Sequence, residues 1–196
     1  VQGRGMHGLQ AGEAHPSVVD SPRQWGPGLY PVRLSERGVD RMRRRIVAGN
    51  WKLHGNLAFA TALLDAIASA PATGVELVVL PPLPYLDALA RRHGGSGIAF
   101  GAQDVSSHAE GAYTGEVAAA MLREVGARYC LVGHSERRQY HAESSELVAR
   151  KFQAAQAAGL QPILCLGEGL AEREAGQTEA VIARQLHAVL DAAGAE

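Results

Sequence analysis

From residue 45 onward, short apolar runs alternate with longer segments of helical period, and this beat constrains the fold more than any other feature of the chain. The runs are 45–49, 75–80, 97–101, 128–132 and 160–165, and their midpoints near 47, 78, 99, 130 and 163 lie 31, 21, 31 and 33 residues apart. Most are continuously apolar rather than alternating, as parallel strands buried on both faces require. Helical segments fill the gaps. Asn56 can cap a helix with Leu57, Ala60, Leu63, Leu64 and Ile67 on one face, stopping before Pro71. Pro84 suits the first position of a second helix, ahead of Tyr85, Leu86 and Leu89. Segments 116–125 and 144–158 each stop at a glycine, and 178–193 places Val181, Ile182, Leu186, Val189 and Leu190 on one face. Five strand-helix repeats imply an α/β fold around a parallel sheet.

The chain has 196 residues with 19 Lys plus Arg against 20 Asp plus Glu, a formal charge of −1. That balance gives no support to nucleic-acid binding, which calls for a basic surface. No apolar run approaches the ~20 residues needed to span a bilayer, so no membrane partner is expected. At 46% hydrophobic and 20% charged, the composition can build a packed core. Cys130 and Cys165 each sit inside an apolar run and read as buried, reduced thiols of a cytoplasmic protein. Residues 1–44 differ from the rest: they hold 7 Gly and 4 Pro, seven Arg against four acids, and no periodicity. The expectation is a disordered arm over residues 1–42, upstream of a native start at Met42, with the folded domain at 43–196.

In parallel α/β folds chemistry gathers where strands end, so the residues after each run deserve first inspection. Asn50-Trp51-Lys52 follows the first run, and Lys52 is one of only two lysines. Its ammonium could hold an anion, although a solvated loop lysine reads the same way. Gln103-Asp104 opens a long polar loop closing at Glu116, which suits either an interaction loop or an ordinary surface loop. Gly133-His134-Ser135-Glu136-Arg137-Arg138 follows the fourth run. With Ser135 capping the next turn, His134 stands at a positive helix terminus. A neutral imidazole there can donate to a carbonyl oxygen that gains charge, an electrophilic role. Gly167-Glu168 follows the fifth run, and a single carboxylate there is a weak signal.

Four motifs stand in one order: Ala48-Gly49-Asn50-Trp51-Lys52, then Gly111 to Glu116, then Val132 to Arg138, then Pro162 to Glu168. In type and spacing they resemble the triosephosphate isomerase family over about residues 43–196. The resemblance implies interconversion of dihydroxyacetone phosphate and glyceraldehyde 3-phosphate through an enediol(ate), in the cytoplasm, with no cofactor and no metal. It implies that Lys52 stabilises the substrate phosphate and the developing oxyanion, that Asn50 positions substrate, and that His134 is the electrophile. Glu136 becomes a supporting carboxylate, and Thr114 the residue that reaches toward the partner's site in a homodimer.

The same resemblance implies a (β/α)8 barrel, which takes about 250 residues. The matched stretch corresponds to about five of eight units. The family's proton-abstracting glutamate follows the sixth strand, and Glu168 comes too early in the order to be it. The expectation is therefore a fragment without its catalytic base, folding poorly because two sheet edges lack partners, and inactive alone. Two alternatives are a non-catalytic half-barrel scaffold and another phosphate-sugar barrel enzyme.

Overall fold

Residues 44–70 and 73–194 are described, in a computed structural model. The expectations for the arm and for Met42 lie outside the described residues. In chain order the elements are β1 (Ile46–Asn50), α1 (Leu57–Ser69), β2 (Glu76–Leu80), α2 (Leu83–His93), β3 (Ile98–Ala102), α3 (Ala119–Glu124), β4 (Ala127–Val132), α4 (Ser135–Tyr140), α5 (Ser145–Ala157), β5 (Gln161–Leu164), α6 (Leu170–Glu174) and α7 (Thr178–Ala193). The strands pair in parallel in the order β1-β2-β3-β4-β5. They make an incomplete (β/α)8 barrel of about five strand-helix units. The short helices α4 and α6 left no periodic signature because neither reaches two turns.

Alternate side chains of the inner strands serve two layers. Val79, Phe100, Ala102, Cys130 and Val132 join Leu64, Leu86, Leu89, Leu122 and Val148 in the core beneath the helices. Val78, Leu80, Ala99, Tyr129 and Leu131 form a separate cluster without helix residues, on the opposite face. Both layers are apolar, which is why these strands read as unbroken hydrophobic runs. β1 departs from that expectation: Ile46 and Val47 are 41% and 57% exposed. Among the described residues β1 has a partner on one side only, so it is an edge strand with uncovered apolar side chains.

Local chemistry explains the element ends. The Asn56 side chain accepts a hydrogen bond from the Phe59 amide, and Ser144 accepts one from Leu147, so α1 and α5 begin where the caps predict. The helix expected from Glu116 instead begins at Ala119. The Val117 carbonyl accepts a bond from the Ser106 amide at 2.9 Å, which holds residues 116–118 extended against the incoming loop. At Gly101 a Cβ would meet Leu80 Cδ2, Tyr129 Cβ and Tyr129 O, all at 2.9 Å. The pairing register with β4 slips between Phe100 and Gly101, where only glycine lets the two strands approach so closely.

Arg44, just before β1, donates to Glu76 Oε2 at 3.1 Å and to Gln161 Oε1 at 3.0 Å. One guanidinium thus spans the first residues of β2 and β5 at the amino ends of the strands.

Cys130 is fully buried, and desolvation, with the Asp104 charge adding to it, pushes its thiol up to about 12. Burial also raises the Cys165 thiol. In the folded chain at pH 8, iodoacetamide should modify Cys130 at least about a hundredfold more slowly than a free cysteine, because almost no thiolate is present. Peptide mapping of alkylated protein with and without urea checks this; equal labelling in both conditions contradicts the packing described.

Candidate active site

Because the strands run parallel and pair in sequence order, their carboxyl ends share one rim, and the residues that follow β1, β3 and β4 meet there. Asn50, Lys52, Gln103, Asp104, His134 and Glu136 line a cavity of about 300 Å³. Tyr140 and His141, at the end of α4, also line it and carried no separable signal in the sequence.

Lys52 has φ 51, a left-handed conformation that costs a non-glycine residue energy and persists only when its surroundings enforce it. Two contacts do so. The Asn50 carboxamide oxygen accepts the Lys52 amide at 2.9 Å, closing a tight turn. Gln103 Nε2 donates to the Lys52 carbonyl at 3.0 Å and to the Leu80 carbonyl at 2.8 Å, tying the turn to the end of β2. The ammonium so placed reaches Glu136 Oε1 at 2.5 Å, with both side chains nearly half exposed. A hydrogen bond from Lys52 is the main reason that the Glu136 carboxyl titrates below its usual range.

His134, rather than Ser135, caps α4, which corrects the expected cap. Its Nδ1 accepts the Glu136 amide at 3.2 Å. The imidazole satisfies one of the helix's open donors itself, and Ser135 becomes the first helical residue. The Glu136 carboxylate lies 3.6 Å from the same nitrogen, but the amide contact is shorter and assigns Nδ1 as an acceptor. With Nδ1 accepting, a neutral ring would carry its proton on Nε2. A neutral donor beside an ammonium can stabilise negative charge growing on an oxygen.

Behind the cavity lies a charge cluster that the sequence did not reveal. Lys151, 3% exposed, contacts Asp104 at 2.8 Å and Glu143 at 2.5 Å, and Arg137 Nε contacts the same two carboxylates at 2.9 and 2.6 Å. Burial raises the Asp104 carboxyl against the opposing pull of Lys151. Glu143 feels burial in the same direction, yet hydrogen bonds from Lys151 and Arg137 leave it lowered. The available signal was a lysine at the third position after Val148, on the apolar face of α5.

Thr114 is exposed, and with His108, Tyr113, Arg137 and Lys151 it lines a different cavity. Glu168 is absent from the Lys52–His134 cavity; it accepts from Thr178 Oγ1 at 3.3 Å and pairs with Arg173 at 3.3 Å. A larger cavity of about 880 Å³ opens at the amino ends of the strands. Its three arginines, Arg44, Arg91 and Arg128, are each paired with Glu76 or Asp87, so it offers no free cationic group. The smaller cavity, with its lysine and histidine, is where the chemistry converges.

A family model described as Triosephosphate isomerase matches residues 45–196. The chain is 70% identical over 155 residues to the triosephosphate isomerase of Stenotrophomonas maltophilia (strain K279a), over 79% of this chain and 62% of that protein. It is 64% identical over 154 residues to that of Xanthomonas campestris pv. campestris (strain 8004), over 78% and 61%. The crystal structure of triosephosphate isomerase from Bartonella henselae superposes with a TM-score of 0.72 at 38% identity, covering 74% of this chain and 61% of that one. The chain thus spans about three fifths of the length of these relatives.

Two outcomes follow from the electrostatics. Substituting Lys52→Met removes the largest influence that lowers Glu136, so a 13C carboxyl titration should show its midpoint rising toward the ordinary glutamate range. In the parent the Lys52–Glu136 pair should hold above that range and dissolve only as pH falls through the depressed value. Lys151→Met leaves the buried Glu143 and the half-buried Asp104 to share Arg137 alone and should cost about 1.5–3 kcal/mol in urea unfolding, a loss that shrinks as they protonate at acid pH.

Proposed function

The chain belongs to the triosephosphate isomerase family, and on that footing we propose that the complete protein interconverts dihydroxyacetone phosphate and glyceraldehyde 3-phosphate without a cofactor. The observation that carries this reading is the convergence of Asn50, Lys52 and His134 on one cavity at the carboxyl rim. A base removes a proton from the carbon beside the substrate carbonyl, and the electron pair moves onto the carbonyl oxygen to give an enediol(ate). The His134 Nε2 proton and the Lys52 ammonium face that charge; the adjacent hydroxyl then passes its proton to the former carbonyl oxygen and becomes the new carbonyl, while the abstracted proton returns to the former carbonyl carbon. Lys52 also balances the phosphate, Asn50 orients the substrate, and Glu136 holds the ammonium when no substrate is bound.

Among the described residues, none of the carboxylates at the strand exits is free to act as the base. Glu136 is committed to Lys52, Asp104 to Lys151 and Arg137, and Glu168 to Thr178 and Arg173. This chain alone therefore has negligible turnover, and a base from a later strand completes the reaction. The exposed loop bearing Thr114 supports a homodimer in which that residue approaches the partner's site. The enzyme acts in the cytoplasm, where its phosphorylated triose substrates belong to glycolysis and gluconeogenesis.

Isomerase assays on the 196-residue chain, and on the same chain extended by its own downstream reading frame, test the proposal. The extended protein should turn over triose phosphates, and Lys52→Ala or His134→Ala should lower its kcat by about a hundredfold or more. The short chain should show no turnover. Full activity in the short chain refutes the missing base; no activity in a folded extended protein refutes the isomerase and favours a non-catalytic scaffold.

A further inference from the structure

We propose that Arg138 is a positioning residue for His134, acting by clamping the peptide that joins Gly133 to His134. This rests on the reading of His134 as the electrophile.

Arg138 lies on α4, and its side chain folds back to the start of its own helix. Nε donates to the Gly133 carbonyl at 3.0 Å, and Nη1 donates to Ser145 Oγ at 3.2 Å, at the start of α5. The third nitrogen, Nη2, is buried and has no partner among the described residues. Arg137, its neighbour in sequence, takes both nearby carboxylates, Asp104 and Glu143. Arg138 thus forms no ion pair among the described residues, and burial lowers its guanidinium pKa. A half-buried cation without a carboxylate carries a desolvation cost, so its position calls for an explanation beyond packing.

The Gly133 carbonyl provides one. Gly133 has φ 74, and a Cβ there would meet Val148 Cγ1 at 2.8 Å and Arg138 Nη2 at 2.9 Å. The guanidinium and α5 enclose the glycine, and a charge-assisted bond fixes the plane of the Gly133–His134 peptide. Rotation of that plane would swing the imidazole away from the cavity. His134 is then held from both sides: Arg138 secures the peptide before it, and the Glu136 amide secures Nδ1 after it. The tie matters because α4 has only six residues, too few to hold its own first turn. Lysine could keep the charge but not the fork that engages Gly133 and Ser145 together.

Two measurements separate this from the functional reading. In the 196-residue chain, long-range 15N NMR of the His134 imidazole and hydrogen exchange of the Glu136 amide report the geometry directly. Arg138→Met should move both imidazole nitrogens toward the tautomer average and speed Glu136 exchange about tenfold or more. Arg138→Lys should not restore them. In the extended protein, Arg138→Lys should lower kcat about tenfold to a hundredfold while KM stays within about twofold. An unchanged His134 spectrum in a folded Arg138→Lys variant overturns the proposal. Loss of the fold by both variants also overturns it, since Arg138 then serves only the core. If the extended parent is inactive, the isomerase reading fails, and the NMR result still decides whether Arg138 positions His134.

Discussion

Parallel pairing in sequence order is the constraint on which everything else depends. It sends every connection back along the outside of the sheet and leaves all strand exits on one rim. Residues 50, 103 and 134 are far apart in the chain, yet each stands one or two positions past the end of a paired strand or at its last residue. The register, from Ile46 against Glu76 to Val132 against Leu164, brings them to one cavity. The cost is an open edge at β1, where Val47 remains more than half exposed.

Around the cavity, polar groups are organised in two shells with different physics. In the outer, wetter shell, Lys52 and Glu136 form a pair whose worth to stability is small because water screens it. Its consequence is to keep an ammonium parked and a carboxylate ionised. In the inner shell, Lys151, Arg137, Asp104 and Glu143 carry two charges of each sign with little water. There the balance of partners is critical, since removing one leaves another stranded. This inner cluster fixes Asp104, the neighbour of Gln103, and Gln103 in turn enforces the left-handed backbone of Lys52. Strain at Lys52 is thus supported by a buried network rather than by the exposed pair that touches the ammonium.

Much of this was legible in the chain itself. Asn56 and Ser144 cap helices where their side chains predict, because a cap is a contact between residues three apart. The positions of Asn50, Lys52, His134 and Glu136 followed from strand ends and motif order. Other features were not legible. The start of α3 depends on a bond between Ser106 and Val117, eleven residues apart, and no local preference encodes it. The cap of α4 went to His134 instead of Ser135 because Gly133, at φ 74, turns the imidazole onto the Glu136 amide. Lys151 looks like a surface lysine until Asp104, 47 residues away, is brought beside it.

The sequence by itself determined the repeat of strand and helix, the parallel class of the sheet, the caps of α1 and α5, and the placing of Asn50, Lys52, His134 and Glu136 at strand ends. Those are set by period, side-chain volume and short-range hydrogen bonding, all of which are written in neighbouring residues. Only the tertiary structure decided which polar groups are satisfied by which. It set the contact of His134 Nδ1 with the Glu136 amide, the strained turn at Lys52 through Gln103, the burial of Lys151, and the clasp of Arg138 on Gly133. Hydrogen bonds and buried charges are pairwise and directional over a few ångströms, so their energies exist only once distant segments of the chain have met.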